Sequence, residues 1–236
     1  TGLPKSIVHS TGGTLIQHLK ELKLHTDLTQ NDKIFYFTTC GWMMWNWLIS
    51  SLAVGATIVL YDGSPFYPDG TALLKMAYDL GITVFGTSAK YIASLESFGI
   101  KPNKILSFPK LRTILSTGSP LVEENFDFVY REWKEDVQLA SISGGTDIIS
   151  CFALGNPILP VRRGELQCRG LGMKVEAFND EGNPVENEKG ELVCTEAFPS
   201  MPLYFWNDPN GEKYQSAYFN TYPNIWHHGD YLEIND

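Results

Sequence analysis

What this sequence lacks excludes several functions before any motif is considered. Its four cysteines, Cys40, Cys151, Cys168 and Cys194, form no C-x-x-C pair, and no histidine stands at metal-ligand spacing from them, which argues against a zinc site. There is no run of lysine and arginine. The 18 basic residues against 27 acidic ones leave a formal charge of -9, which argues against nucleic acid as the main partner. No N-x-[ST] sequon occurs, and no basic stretch leads into an apolar one at the start, so the expected setting is reducing and cytosolic. The chain opens on threonine rather than methionine, and upstream sequence is expected.

One stretch lacks charge altogether. From Phe35 to Tyr61 there is no Asp, Glu, Lys or Arg, a length that would suit a membrane span. Asn46, Ser50 and Ser51 interrupt it, Gly55 punctuates it, and Thr57-Ile58-Val59-Leu60 turns to β-branched residues, which predicts a buried helix followed by a buried strand. Hydrophobic residues make up 43% of the 236 residues, enough for one large domain or two smaller lobes.

From about Thr11 to Ser150, short β-branched runs alternate with segments at helical spacing. Ser10 or Thr11 caps a helix carrying Leu15, Leu19 and Leu22. Strands are expected at Ile34 to Phe37, Thr57 to Leu60, Ile82 to Phe85, Thr113 to Leu115 and Val137 to Ile142, with helices from Met43, Thr71, Tyr91 and Glu123 between them. This alternation predicts an α/β fold over residues 1–150, a mostly parallel sheet flanked by helices. Beyond it, Gly164 to Cys168, Lys174 to Phe178 and Gly190 to Thr195, with a turn at Asn179 to Pro184, predict a small β-rich lobe over 151–236. Ligands of parallel sheets sit outside the carboxyl ends of the strands. That rule singles out three loops: Thr38 to Trp42, Ser116 to Pro120 and Ser143 to Asp147.

Several residues have the chemistry for an anionic ligand. Thr1-Gly2-Leu3-Pro4-Lys5 sets a hydroxyl, a glycine amide and an amine close together, able to wrap phosphate oxygens, although the spacing is not that of a Walker loop. By itself the string is also an ordinary turn ending in a surface lysine. Gly118 and Pro120 hold a turn against which a flat purine could pack, and a plain loop would look the same. Thr146 offers a hydroxyl and Asp147 a carboxylate for phosphates or Mg²⁺, while both also serve as helix N-caps. Asp230 could accept hydrogen bonds from two ribose hydroxyls, yet Gly229-Asp230 is a common turn. His227 and His228 lack a third ligand, which favours surface or packing roles.

Taken in order, these strings resemble the acyl-CoA synthetase, luciferase and peptide-synthetase adenylation superfamily. The opening through Gly13 resembles the later half of its phosphate loop, Gly41-Trp42 the G-W of acetyl-CoA synthetases, and Tyr61-Asp62-Gly63-Ser64-Pro65 their E-G-x-P segment. Ser116 to Pro120 falls at the G-E-P adenine loop, Ser143 to Asp147 at the Q-T-E segment, and His228 to Tyr231 resembles the G-D ribose motif. The strings G-W-M-M-W-N-W, S-T-G-S-P-L and S-I-S-G-G-T-D-I-I-S together resemble the branch that activates acetoacetate.

The resemblance implies part of the large N-terminal domain of an adenylate-forming enzyme, ending before the mobile C-terminal domain and therefore without ligase turnover of its own. It implies an ATP-dependent acid-thiol ligase using ATP, Mg²⁺ and coenzyme A, with acetoacetate as the acid. Lys5 and Thr146 take catalytic roles, and Thr1, Gly2, Lys5, Gly118, Ser119, Pro120, Thr146, Asp147 and Asp230 bind the nucleotide. Asp147 stands where the family usually has Glu and is the implied Mg²⁺ ligand. Trp42, Met43 and Gly144 line the acid pocket. Gly144 replaces the Trp of acetyl-CoA synthetases, so the pocket is expected to be deeper by roughly an indole. Two alternatives remain: the acid is acetate, propionate or another short chain, or the chain is a non-catalytic α/β binding module.

Overall fold

The computed structural model describes residues 5–235. The chain divides into two compact units, one formed by His18–Cys168, the other by Thr1–Gln17 together with Arg169–Asp236.

In His18–Cys168, five parallel strands lie in the order Thr57–Val59, Lys33–Tyr36, Val84–Ser88, Thr113–Thr117, Gln138–Ser141. Their side chains alternate between two buried faces, as in sheets covered on both sides. Phe35, Phe85, Ile114 and Leu139 pack with Leu74, Ile92, Phe126 and Trp133 on one face. Ile34, Val84, Leu115 and Ala140 pack with Leu22, Met44, Trp47 and Leu48 on the other. Gly86 admits the Tyr36 ring, since a Cβ there would lie 2.1 Å from a ring carbon. The order reverses between Lys33–Tyr36 and Val84–Ser88, and sheets of this kind carry their ligands beyond the carboxyl ends of the strands at such a reversal. At the opposite end, Arg112 grips Asp32 through Nε (3.1 Å) and Nη2 (3.0 Å) and donates to the carbonyls of Thr26 and Asp27. Burial alone would raise the Asp32 carboxyl, but hydrogen bonds from Arg112, Thr83 and Thr29 outweigh it and hold it below its ordinary value.

The other unit is antiparallel. Pro184–Val185, Val175–Phe178, Lys189–Cys194 and Trp226–Glu233 form a sheet in that order, and the Asn179 side chain closes the expected turn by accepting from the amides of Glu181 and Asn183. Trp226 is buried and stacks on Tyr218 at 3.8 Å.

The α/β expectation holds, with local differences. The N-terminal segment groups with the C-terminal one because Ile7–Val8 pairs with Tyr204–Phe205, a two-residue ribbon that no periodicity reveals. Of Gly164 to Cys168 only Cys168 enters a strand, Cys168–Arg169. Gln167 instead spends its side chain on the loop backbone at Asn156, Leu159 and Pro160. Ser10 does cap the helix Thr11–Lys20, accepting from the Gly13 amide at 3.0 Å, but Leu15 stays 37% exposed while His18, Glu21 and Leu22 are buried. The uncharged stretch becomes the helix Met43–Ser50, a 3-10 turn and a half-exposed edge strand rather than a buried one. Among the described residues no helix is long and apolar enough to cross a membrane.

Candidate functional site

Within His18–Cys168, the three loops singled out by the strand-end rule meet. Lys33–Tyr36 runs through a short turn, Trp42 N–H donating to the Thr39 carbonyl, into the helix Met43–Ser50. Trp42 is half-buried, its ring edge-on to Tyr36 at 6.1 Å, which fixes it at the mouth of the sheet. Gly118 follows Thr113–Thr117 with φ +92°, a conformation that suits glycine, and a Cβ there would come 3.8 Å from Trp42. Gly118, Ser119 and Pro120 are exposed, as a surface open to a flat ligand must be. The next strand ends beside them: Ile142 N–H donates to the Ser116 carbonyl (2.8 Å), and the Thr117 hydroxyl donates to the Ile142 carbonyl (3.0 Å).

From there Ser143–Gly145 pairs antiparallel with Ser150–Leu154, and Thr146 to Ile149 make the turn of this hairpin. Thr146 is exposed and Asp147 half-buried at its tip. No helix follows, so the N-cap alternative for this pair is discarded. The hairpin also changes the meaning of Gly144. A Cβ at this position would fall 2.2 Å from the Ser150 carbonyl oxygen and 2.8 Å from Cys151 Cα. Glycine here lets two strands approach, and a side chain would strike backbone before reaching a pocket, so with this backbone the missing indole does not measure pocket depth.

Two buried polar residues hold the hairpin from below. His18 donates from Nε2 to the Ile149 carbonyl at 2.6 Å, and its Nδ1 lies 2.8 Å from the Ser50 hydroxyl. Burial pushes the His18 pKa below its ordinary value, against the opposing pull of the Ile149 carbonyl and Glu21, so the ring is neutral near pH 7. A carbonyl can only accept, which places the proton on Nε2, while Nδ1 faces the Ser50 hydroxyl, whose one proton is shared with the Asn46 carbonyl at 3.0 Å. The Glu21 carboxylate accepts from the Ser150 hydroxyl, the Cys151 amide (3.3 Å) and Trp47 Nε1 (2.9 Å). These anchors escaped the sequence reading. Their signal was the spacing of His18, Glu21, Leu22 and His25, which puts polar residues on the face a helix buries. Burial raises the Cys151 thiol well above its usual range, which leaves it unsuited to act as a nucleophile.

Lys5 and Asp230 belong to the other unit. Lys5 is exposed, with Nζ 5.1 Å from the centre of the Tyr218 ring, and Trp206 N–H donating to the Ser6 carbonyl ties down the residue beside it. Asp230 is not in a turn. It lies in Trp226–Glu233 where the register with Lys189–Cys194 shifts, and Gly229 at φ +87° makes a bulge that leaves the carboxylate exposed. His228 Nε2 lies 3.7 Å from Asp230, while His227 faces Glu191 at 3.1 Å. Thr1 and Gly2 lie outside the described residues. Among the described residues no group of three His, Cys, Asp or Glu is placed to hold a metal ion. Asp147 supplies a single hard oxygen donor, a set that suits Mg²⁺ where ligand phosphates complete the coordination.

Comparison with known proteins follows the same lines. The acetoacetyl-coenzyme A synthetase of Rhizobium meliloti (strain 1021) is 62% identical over 233 residues, which is 99% of this chain and 36% of that protein. The acetoacetyl-CoA synthetase of Gallus gallus is 57% identical over 235 residues, 100% of this chain and 35% of that protein. A solved structure, the acetoacetyl-CoA synthetase from Streptomyces lividans, matches with a TM-score of 0.95 at 47% identity, over 100% of this chain and 37% of that one. The chain therefore spans about a third of the length of these relatives. Residues 1–204 match the family described as AMP-binding enzyme, and the chain belongs to that family.

Proposed function

We propose that this chain forms the nucleotide- and acid-binding part of an ATP-dependent acid-thiol ligase whose acid is acetoacetate. What carries this reading is the approach of Trp42, Gly118 and the Thr146 hairpin at the carboxyl end of one parallel sheet, in a chain alike over its whole length to proteins named acetoacetyl-CoA synthetase. In the first half-reaction a carboxylate oxygen of the acid attacks the α-phosphorus of ATP. A C(O)–O–P bond forms as the bond to the bridging oxygen breaks, and pyrophosphate leaves with that electron pair. In the second, the thiol of coenzyme A loses its proton and forms a C–S bond to the carbonyl carbon while AMP departs.

No protein nucleophile is needed, so the residues bind, orient and stabilise charge. The Thr146 hydroxyl donates to an oxygen on the α-phosphorus, and Lys5 supplies local positive charge on a chain of net -9. Gly118, Ser119 and Pro120 give adenine a backbone surface, Asp230 accepts from the ribose, and Trp42 and Met43 line the acid pocket. Thr1 and Gly2 add donors to the phosphates. Mg²⁺, where bound at Asp147, would offset charge on the phosphates. Acid-dependent ATP–pyrophosphate exchange by the full-length protein, run against acetoacetate, acetate and propionate, tests the reading. Preference for acetoacetate supports it, preference for acetate or propionate replaces the acid, and no exchange with any acid favours a binding module.

A further inference from the structure

The turn that carries Thr146 and Asp147 ends on a residue ill suited to its conformation. Ile149 has φ +47°, a left-handed backbone that β-branched side chains rarely adopt, and glycine or asparagine would take it with less strain. Such a residue persists only where its surroundings over-determine it. Here the restraints are visible: the Ile149 amide donates to the Thr146 carbonyl at 3.1 Å, and its carbonyl receives the Nε2 proton of fully buried His18 at 2.6 Å. His18 is itself held, through Nδ1, by Ser50 on the helix that begins just after Trp42. One imidazole thus ties the base of the hairpin to the helix that starts at the acid-pocket loop.

We propose that His18 is a positioning residue for adenylation: by holding Ile149 in its left-handed conformation it fixes the turn, and with it the aim of Thr146 and Asp147 at the phosphates. His18 touches no reacting atom in this account, which rests on the ligase reading above. Its contribution is to the geometry of the first half-reaction, so its loss should lower kcat for pyrophosphate exchange more than it raises KM for the acid.

The test uses the full-length protein. His18→Phe keeps ring volume and removes both hydrogen bonds, and should lower kcat about tenfold, the scale of one good hydrogen bond, at an acid KM within about twofold of the parent. His18→Gln restores a donor at the position of Nε2 and should lower kcat only about threefold. Ile149→Asn accepts the left-handed conformation without help, so in the His18→Phe background it should recover most of the loss, a coupling that a purely structural role for His18 would not produce. Hydrogen exchange of the peptide spanning 146–151 should quicken in His18→Phe and slow again in the double variant. A folded His18→Phe protein with parental kcat overturns the proposal, as does an Ile149→Asn substitution that recovers nothing. If His18→Phe does not fold, His18→Gln decides: a threefold lower kcat at parental KM supports the role, and parental kcat overturns it. If the parent catalyses no exchange with any acid the ligase reading fails instead, and the hydrogen-exchange arm still reports whether His18 holds the turn.

Discussion

The two units hold their candidate site residues by different physics. In His18–Cys168 the presenting loops are ends of parallel strands, and they are fixed from beneath by polar groups: buried His18 and Glu21 and the half-buried Thr117 hydroxyl each spend hydrogen bonds on the backbone or side chains that follow. In the other unit Lys5 and Asp230 are exposed, Lys5 beside a two-residue ribbon with its amine over the Tyr218 ring and Asp230 on a β-bulge, while rings cluster around Trp226. The first arrangement ties geometry to directional bonds, so small polar changes should alter chemistry. The second relies on packing, so it should tolerate polar change and fail when apolar volume is lost.

The sharpest way to break that contrast is Trp226→Ala. Removing a fully buried, stacked indole should cost about 4 kcal/mol in urea unfolding, the range for large aromatic truncations. Thr146→Val, nearly isosteric and at an exposed position, should leave stability within about 0.5 kcal/mol yet lower kcat for pyrophosphate exchange about a hundredfold. If Thr146→Val instead destabilises without affecting kcat, the division of labour drawn here is wrong. Arg112→Ala strips the forked bond to Asp32 and two carbonyl contacts at the far end of the sheet and should cost about 2 kcal/mol with kcat unchanged.

A smaller effect concerns pH. Burial lowers the pKa of His18 and of His25, so on acidification the unfolded chain takes up these protons first, at about 6.5, and stability falls from there through the depressed folded values. Asp32, also held below its ordinary value, keeps its contribution until pH drops past the unfolded carboxylate range and loses it as pH falls through the folded value. His18→Phe should flatten the first part of this profile, measured as urea midpoints between about pH 7 and pH 5.

How far the sequence foretold this depends on the range of the interaction involved. The parallel sheet was legible because strands such as Lys33–Tyr36 and Thr113–Thr117 bury side chains on both faces and are written largely in β-branched and aromatic residues. The three loops followed from topology alone. Gly144 was misleading, because a missing side chain reads as an open pocket in sequence and as close strand packing in space. Gly229-Asp230 looked like a turn, since a bulge is defined only by its partner strand. Leu15 and Leu19 drew attention away from His18 and Glu21, whose partners at Ile149 and Ser150 lie far along the chain. The ribbon between Ile7–Val8 and Tyr204–Phe205 is too short to have a pattern.

The measurement that bears most directly on the whole is a crystal structure of the full-length protein with AMP and acetoacetate. The account predicts adenine against Gly118 to Pro120, ribose hydroxyls on Asp230, and the phosphate within hydrogen-bond reach of the Thr146 hydroxyl. A nucleotide bound elsewhere, with Thr146 and Asp230 both facing solvent, would contradict it.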